Sequence, residues 1–432
     1  MLYYSLNNQS AKVSFRDATI LGQAPDKGLY FPGTIPVLPG KMISNIRSYS
    51  REAIAYEVIR PYVEDSIDDK SLKEIIAETV NFDFPLVEVR DNIYSLELFH
   101  GPTLAFKDVG AKFMSGCLGH FVKNSDRKVT VLVATSGDTG GAVANGFYGV
   151  ESVDVVILYP AGKVSKIQEL QLTTLGQNIS TLEVHGSFDD CQIMVKEAFA
   201  DTSLNGQLFL TSANSINVAR WLPQQFYYFY AYQQWEEQKS PPVFSVPSGN
   251  FGNICAGLLA YHSGLPAAHF IAACNANDVV TRYLQSGNYE PRDSSPTLSN
   301  AMDVGNPSNF VRILEMFNNQ FHSLKNLLSS YSISDEATSE TIREVWHSCG
   351  YLLDPHGSVG YLCLEKYLNE HNWQKGIFLE TAHPVKFYDV VEPVIGKKVP
   401  LPASVKSLLD KKKQSVPMEP SYDELKSYLL SR

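Results

Sequence analysis

Continuous runs of β-branched and aliphatic residues alternate along the chain with stretches of helical spacing. Such runs are typical of strands buried on both faces of a parallel sheet, and they lie at 129–133, 153–158, 208–211, 243–246, 269–273 and 377–381. Helical spacing predicts helices at 43–63, 71–80, 140–147, 165–175, 189–200, 218–234, 254–261, 310–328, 336–347 and 357–369. The alternation indicates βαβ units, and therefore an α/β fold built on parallel sheets.

The chain is expected to divide into three parts. Its 432 residues exceed one average core, so two or three domains are expected. We predict an N-terminal segment of mixed structure over 1–90 and two α/β domains over 91–238 and 239–432. The stretch 287–309 is rich in Pro, Ser, Asn and Gly and has no periodicity. It predicts a long loop, and loops of that length are often functional.

A lone lysine follows three apolar residues at the predicted start of a helix. Residues 104–106 lead directly into Lys107, and helical spacing continues to Phe121. Burial and the positive end of a helix both disfavour the charged form of an amine, and a neutral amine suits a Schiff-base lysine. Most lysines in such settings extend their amine to solvent, so the local pattern alone favours that commoner role.

Two glycine-rich loops follow predicted strands and open predicted helices. Residues 135–141 combine three glycines with three hydroxyl residues, a composition that favours an anion such as a carboxylate at the backbone. Residues 248–253 lack both the Lys-Ser/Thr of a P-loop and a GxGxxG motif. A single phosphate monoester held by backbone N–H groups fits them best. An ordinary strand-to-helix turn is the alternative for each loop.

The end of the last predicted strand carries a hydroxyl residue. Thr381 lies where ligands of open α/β sheets gather, at the carboxyl end of a strand. Threonine is common in strands, so this indication alone is weak. His383 fits a structural role better than a catalytic one, and the turn 354–357 fits a site and a helix start equally well.

Composition excludes several classes of function. The formal net charge of −10 argues against a nucleic-acid partner. Six cysteines without a CxxC pair indicate neither a zinc site nor a redox motif, so we expect no metal, and their low density fits a reduced cytoplasmic protein. No apolar stretch reaches the roughly 18 residues of a membrane span, and the first residues do not resemble a secretory signal.

Taken together, these motifs resemble those of the threonine synthase family, in its bacterial and fungal subgroup. The resemblance is carried by 100–108 (His-Gly-Pro-Thr-Leu-Ala-Phe-Lys-Asp), 135–140, 247–253, 354–357 and 381–387, with 13–15 and 28–32 similar to the family's opening. It covers nearly the whole chain. It implies fold type II of the pyridoxal-phosphate enzymes, the tryptophan-synthase-β-like fold. That fold has two open, twisted, mostly parallel sheets flanked by helices, here with an N-terminal extension.

The resemblance also implies roles for particular residues. Lys107 is expected to hold pyridoxal 5′-phosphate as a Schiff base and to move protons, and Thr381 to hydrogen-bond the pyridine nitrogen. The cofactor phosphate is expected at Gly249, Asn250, Phe251, Gly252 and Asn253. The substrate, including its α-carboxylate, is expected at Thr103, Ser136, Gly137, Asp138 and Thr139. The candidates for a second, substrate phosphate are Lys163, Asn217 and Arg220, although Arg220 could equally form an ion pair on a helix surface.

The activity implied is that of a pyridoxal-phosphate-dependent lyase acting on a small molecule. O-phospho-L-homoserine and water would give L-threonine and phosphate by γ-elimination and β-addition of water. An elimination-only phospholyase would share every motif. A second anion site argues against a dehydratase or sulfhydrylase of the same fold, and Lys107 with the loop residues argues against an inactive binding protein. We expect a monomer or homodimer without a membrane partner.

Overall fold

The computed structural model describes residues 1–123, 128–237, 239–371 and 375–432. Its α-helices are Phe15–Leu21, Gly40–Ser44, Arg51–Val63, Asp69–Thr79, Lys107–Val122, Asp138–Phe147, Lys166–Thr173, Phe188–Ala200, Thr202–Gln207, Val218–Trp221, Gln225–Gln234, Gly252–His262, Val279–Ser286, Phe310–Met316, Phe321–Leu327, Asp335–Cys349, Pro355–Glu370, Tyr388–Ile395, Ala403–Leu409 and Tyr422–Leu430. Short 3₁₀ helices lie at Ile46–Ser48, Glu64–Ser66, Leu222–Gln224, Asn300–Met302 and Pro384–Phe387.

Within the described residues, the strands form three sheets. A small antiparallel sheet has the order Val13–Ser14, Leu2–Ser5, Tyr30–Pro32. A five-stranded, fully parallel sheet has the order Val416–Met418, Ile179–Val184, Val153–Pro160, Val129–Ala134, Phe209–Thr211. A six-stranded sheet has the order Leu328–Ser332, His269–Cys274, Val243–Pro247, Gly376–Glu380, Ile93–Glu97, Leu86–Arg90, and only its last pair is antiparallel. The two large sheets confirm the expected α/β architecture.

The two large sheets exchange strands across the predicted domain boundaries. Ile93–Glu97, from the predicted first domain, pairs with Gly376–Glu380 of the second, with Glu97 opposite Glu380. In return, Val416–Met418 pairs with the first-domain strand Ile179–Val184. Each large sheet therefore includes a strand from the other predicted domain, because strands pair with their neighbours in space and not in chain order. Gln238, at the predicted boundary, lies outside the described residues.

Three predicted helices are interrupted. The predicted helix 43–63 is regular only from Arg51, where Ser50 accepts a hydrogen bond from Ala53 N–H as the N-cap. The predicted helix 310–328 is two helices, because Asn318 and Asn319 adopt positive φ angles of 52° and 56°. The predicted helix 218–234 contains a 3₁₀ turn at Leu222–Gln224, which includes a proline. In each case a local backbone feature interrupts the helix, although the apolar spacing in the sequence continues past that point.

The aromatic helix Gln225–Gln234 belongs to the core. Its residues from Gln225 to Tyr232 are buried within the chain. Two neighbouring tyrosines hydrogen-bond to loops: Tyr227 donates to Phe106 O, and Tyr228 donates to Asn253 O and Oδ1 at 3.0 and 2.8 Å. One helix therefore supports both the segment before Lys107 and the loop that follows the strand Val243–Pro247.

Within the described ranges, no helix is both long and apolar enough to cross a membrane. Over the same residues, no group of three or more His, Cys, Asp and Glu side chains is arranged to hold a metal ion.

Candidate active site

Backbone pairing places Lys107 beside the end of the central strand Gly376–Glu380. Ala105 forms an antiparallel bridge with Ala382, and Phe106 N–H donates to Thr381 O at 2.9 Å. Leu104 has a φ of 58°, an uncommon conformation for a bulky residue, which directs the chain into this bridge. Lys107 follows as the first residue of the helix Lys107–Val122.

The Lys107 amine lies in an environment that favours its neutral form. Burial lowers its pKa; the Asp138 carboxylate opposes this, and the Lys386 and Arg220 cations lower the pKa further. Among the described residues, the amine takes part in no hydrogen bond or ion pair, and the side chain is half-buried. A partly accessible amine with a lowered pKa is what Schiff-base formation requires.

The loop 248–251 has the features of a phosphate site. Phe251 is left-handed, with a φ of 60°, and the helix Gly252–His262 that follows has no side-chain cap. Its first N–H groups therefore lack intrahelical partners. The Asn253 amide is buried, and its Nδ2 has no hydrogen-bond partner in the described part of the chain. A phosphate at this helix start would satisfy these donors, so the residues fit the phosphate of pyridoxal 5′-phosphate.

Gly249 lies where the loop touches a neighbouring segment. A Cβ at this position would be 2.8 Å from Ala301 O and 2.8 Å from Met302 Cα, both backbone atoms. Ala301 N–H in turn donates to His356 Nε2 at 3.2 Å, and His356 Nδ1 lies 2.6 Å from Asp354 Oδ2. The turn 354–357 is therefore linked, through Ala301, to the segment that packs against Gly249.

Thr381 offers a free hydroxyl next to Lys107. The residue is 6% exposed, and its hydroxyl has no hydrogen-bond partner in the described part of the chain. Its carbonyl holds Phe106, so the hydroxyl and the Lys107 side chain start from paired backbone positions. A neutral hydroxyl here fits a pyridine nitrogen. His383, two residues on, caps the 3₁₀ helix Pro384–Phe387 by accepting from Val385 N–H, which is a structural role.

The loop 135–138 leads into a second helix start, and the Thr135 side chain reaches the first turn of that helix. Thr135 Oγ1 accepts from Gly137 N–H and Gly140 N–H at 3.0 and 2.8 Å, which closes the loop. Gly137 has a φ of 139°, and a Cβ there would lie 2.6 Å from Gln168 Cδ. Gly140 is the third residue of the helix Asp138–Phe147, so Thr135 caps this donor, whereas the N-cap residue Gly137 contributes no side-chain cap. Ser136 and Thr139 are half-buried, and neither hydroxyl is hydrogen-bonded within the described ranges.

Asp138 is neutralised by a lysine that sequence reasoning left without a role. Lys386 Nζ lies 2.7 Å from Asp138 Oδ1, and both side chains are buried. Gln168 Nε2 donates to the same oxygen at 2.9 Å. Burial alone would raise the pKa of Asp138, but Lys386 and Lys107 hold it well below its usual range. The sequence signal available for Lys386 was its position between two apolar residues, Val385 and Phe387.

The hydroxyl, N–H and carbonyl groups of Thr103 all form hydrogen bonds within the protein. Its hydroxyl donates to Asp108 Oδ1, and its N–H donates to Asp108 Oδ2 at 2.9 Å. Its carbonyl accepts from Lys386 Nζ at 2.8 Å and from Gln171 Nε2 at 3.0 Å. Thr103 therefore fixes the segment that leads to Lys107.

Arg220 is a buried cation and not part of a surface ion pair. It is 4% exposed, and neither Nε nor Nη1 has a hydrogen-bond partner among the residues that the structure describes. Burial lowers its pKa to about 10, against the influence of Tyr227 and Asp108. Gly110 leaves room for it, since a Cβ there would lie 2.6 Å from Arg220 O. An unpaired, buried guanidinium is expensive to maintain and indicates an anionic ligand.

The other two candidates for the substrate phosphate lack the buried free donors of Arg220. The Asn217 side chain caps the helix Val218–Trp221 and donates to Thr19 O at 2.8 Å and to Ser212 O at 3.2 Å. It positions Arg220 and has no free donor. Lys163 is exposed in the loop after Val153–Pro160, where it lowers the pKa of Asp190. Among the described residues, its amine takes part in no hydrogen bond or ion pair.

Family models match the chain along nearly its whole length. The model described as "Pyridoxal-phosphate dependent enzyme" matches residues 84–379. The models for the threonine synthase N terminus and C-terminal part match residues 2–80 and 358–429. These matches confirm the cofactor class and the enzyme class expected from the sequence.

Individual relatives of the chain lead to the same family as these models. The threonine synthase of Haemophilus influenzae is 43% identical over 435 residues, covering 100% of both chains. The crystal structure of threonine synthase from Escherichia coli is similar with a TM-score of 0.93, 41% identity and 100% coverage of both chains. The structure titled PLP-bound threonine synthase from Brucella melitensis has a TM-score of 0.92 and 34% identity, covering 99% of this chain and 98% of that one. The chain therefore belongs to the threonine synthase family of pyridoxal-phosphate-dependent lyases.

Proposed function

We propose that this cleft converts O-phospho-L-homoserine and water to L-threonine and phosphate. The observation that carries the proposal is the Arg220 guanidinium, buried with two unpartnered nitrogens close enough to Lys107 to lower the pKa of its amine. A cofactor phosphate would be held at the other loop, at Gly252 and Asn253. The Arg220 cation is therefore available for a second anion, as a phosphorylated substrate requires.

The unpaired donors of the loop 248–253 and the groups beside Lys107 indicate which residues would hold the cofactor. Pyridoxal 5′-phosphate, when bound, supplies a ring that accepts negative charge developing on the substrate carbons. Lys107 would hold it, Gly249 to Asn253 would bind its phosphate, and Thr381 would hydrogen-bond its ring nitrogen. Because Thr381 is a hydroxyl residue and not a carboxylic acid, it would not force a proton onto that nitrogen.

Lys107 is the proton carrier of the proposed reaction. Once the substrate amine displaces it, its amine removes the α-proton and returns protons during the later steps. Its lowered pKa keeps it in the neutral, basic form closer to neutral pH. The N–H groups at the start of the helix Asp138–Phe147, with the Ser136 and Thr139 hydroxyls, would bind the α-carboxylate. Arg220 would bind the γ-phosphate and stabilise it as it leaves.

The test is a product analysis. Purified holoenzyme is incubated with O-phospho-L-homoserine, and phosphate and threonine are measured together. Equal amounts of both are expected. Phosphate accompanied by a keto acid, without threonine, would select the elimination-only phospholyase and refute the hydration step.

A monomer or a homodimer in the cytoplasm is part of the same proposal. All six cysteines are free, which suits a reducing compartment. The aromatic helix Gln225–Gln234 is buried within one chain and needs no partner subunit to cover it. Sedimentation velocity would test the assembly state. Limited proteolysis would test the proposed division into 1–90, 91–238 and 239–432.

A further inference from the structure

Lys386 is a buried cation whose partners come from separate parts of the chain. Its side chain is fully buried, its Nζ lies 2.7 Å from Asp138 Oδ1, and it donates to Thr103 O at 2.8 Å. Thr103 precedes Lys107 in the segment that reaches the cleft, and Asp138 is the first residue of the helix Asp138–Phe147. One ammonium thus connects the lysine segment with the loop 135–138.

The position of Asp138 creates an electrostatic problem. Helix N-termini attract anions because their N–H groups are unpaired, and the α-carboxylate is proposed to bind at this one. A carboxylate side chain on the first residue would repel that ligand. Lys386 cancels the charge, and Gln168 holds the carboxylate oriented by donating to it at 2.9 Å.

We propose that Lys386 is a positioning residue that neutralises Asp138, so that a negatively charged substrate carboxylate can bind at the start of the helix Asp138–Phe147. The inference rests on the proposed function, because that function places the carboxylate there. Lys386 acts through Asp138 and does not touch the substrate.

The experiment compares Lys386→Met, Asp138→Asn and the double variant. In Lys386→Met, the unpaired Asp138 charge should raise KM for O-phospho-L-homoserine at least about tenfold, since like charges at an interface cost several kcal/mol, while kcat changes little. The double variant should recover most of that loss, because both charges are then gone. The matched control is Lys398→Met, which breaks an exposed pair of similar length with Glu392, 2.6 Å, and should leave KM unchanged.

Two measurements do not depend on turnover. The dissociation constant of L-alanine, which has the carboxylate but no phosphate, is read from the absorption of the bound cofactor. It should rise in Lys386→Met and recover in the double variant, even if no threonine is ever formed. The melting temperature of the apoprotein should fall in Lys386→Met and recover when Asp138 is also neutral, because a buried unpaired charge is then removed.

The outcomes separate an electrostatic role from a purely structural one. A lower melting temperature with unchanged KM and L-alanine binding would overturn the proposal, as would a double variant that stays as defective as Lys386→Met. If Lys386→Met does not fold, Asp138→Asn decides. With the Lys386 charge uncompensated, the Asp138→Asn holoenzyme should bind L-alanine at least as tightly as the unmodified holoenzyme, and a tenfold weaker affinity would refute the inference.

Discussion

Replacing Arg220 with methionine is expected to abolish most activity and yet to stabilise the protein without ligands. The substitution keeps an unbranched side chain of similar length while removing the guanidinium. Arg220 is buried, and its Nε and Nη1 are unpartnered in the absence of a ligand. The cation should therefore stabilise the substrate complex and destabilise the apoprotein.

The loss in kcat/KM and the gain in apoprotein stability can both be estimated from the surroundings of Arg220. Hydrogen bonds to charged groups contribute about 1.5–3 kcal/mol each, so two bonds from Nε and Nη1 to phosphate would contribute roughly 3–6 kcal/mol. At about 1.4 kcal/mol for each factor of ten, kcat/KM should fall by roughly 10²- to 10⁴-fold. Burial lowers the pKa of Arg220 to about 10. The cation therefore costs at most about 3 kcal/mol of folding free energy, in full at any pH below 10.

The assay pairs kinetics with thermal unfolding. Arg220→Met should show the loss in kcat/KM together with unchanged pyridoxal 5′-phosphate affinity and a higher apoprotein melting temperature. Arg312→Met is the matched control. Arg312 is also fully buried with a lowered pKa, but it donates to Tyr30 O, Ser215 O, Ile216 O and Asn309 Oδ1. Removing Arg312 leaves these buried acceptors without a hydrogen-bond donor, so the variant should melt at a lower temperature.

Two results would refute the reasoning on Arg220. Equal losses of substrate and cofactor affinity would indicate a general structural role. A melting temperature that falls as it does in Arg312→Met would show that the guanidinium is satisfied within the folded apoprotein, leaving no reason to assign it a second phosphate.

Three further substitutions test the site. Lys107→Ala should abolish turnover and borohydride fixation of the cofactor while the apoprotein still unfolds cooperatively; retained turnover would end the proposed mechanism. Gly249→Ala should weaken pyridoxal 5′-phosphate binding at least about tenfold in equilibrium dialysis, since overpacking costs about 1–3 kcal/mol and the new Cβ would lie 2.8 Å from Ala301 O; unchanged affinity would show that the loop is placed otherwise. Burial and Asp354 raise the pKa of Glu380 well above its ordinary value of about 4.5. Above that pH the carboxyl is ionised in the unfolded chain but held protonated in the folded protein, so the free energy of unfolding falls as the pH rises. Glu380→Gln should therefore gain melting temperature over the unsubstituted protein between pH 5 and pH 8, and a difference independent of pH would contradict the assignment.

The elements around the site were largely predictable, because each has a local cause. The buried strand Val129–Ala134 reads as a continuous apolar run, and Lys107 stands at the start of a helix whose spacing is visible in the sequence. The glycine loops were recognisable because small residues directly after a strand let a ligand approach the backbone closely. The strand Leu328–Ser332 was missed, because its sequence continues a helical pattern and only its pairing with His269–Cys274 makes it a strand.

The roles of individual polar residues in the site were less predictable. Asn217 and Arg220 were equal candidates in the sequence, but one is committed to capping a helix and the other has free donors. Lys163 has the right charge but is exposed. Burial and hydrogen-bond saturation decide between such residues, and neither can be read from residue type.

Sequence alone determined the alternation of strands and helices, the family motifs and the place of Lys107 at a helix start, because periodicity, turn residues and capping act over a few neighbouring positions. Tertiary structure alone decided that Lys386 neutralises Asp138, that Arg220 is buried without a partner, and that Ile93–Glu97 crosses into the other sheet. Those facts depend on contacts between distant segments. Such contacts leave no local pattern, and their energies depend on desolvation that only the folded chain imposes.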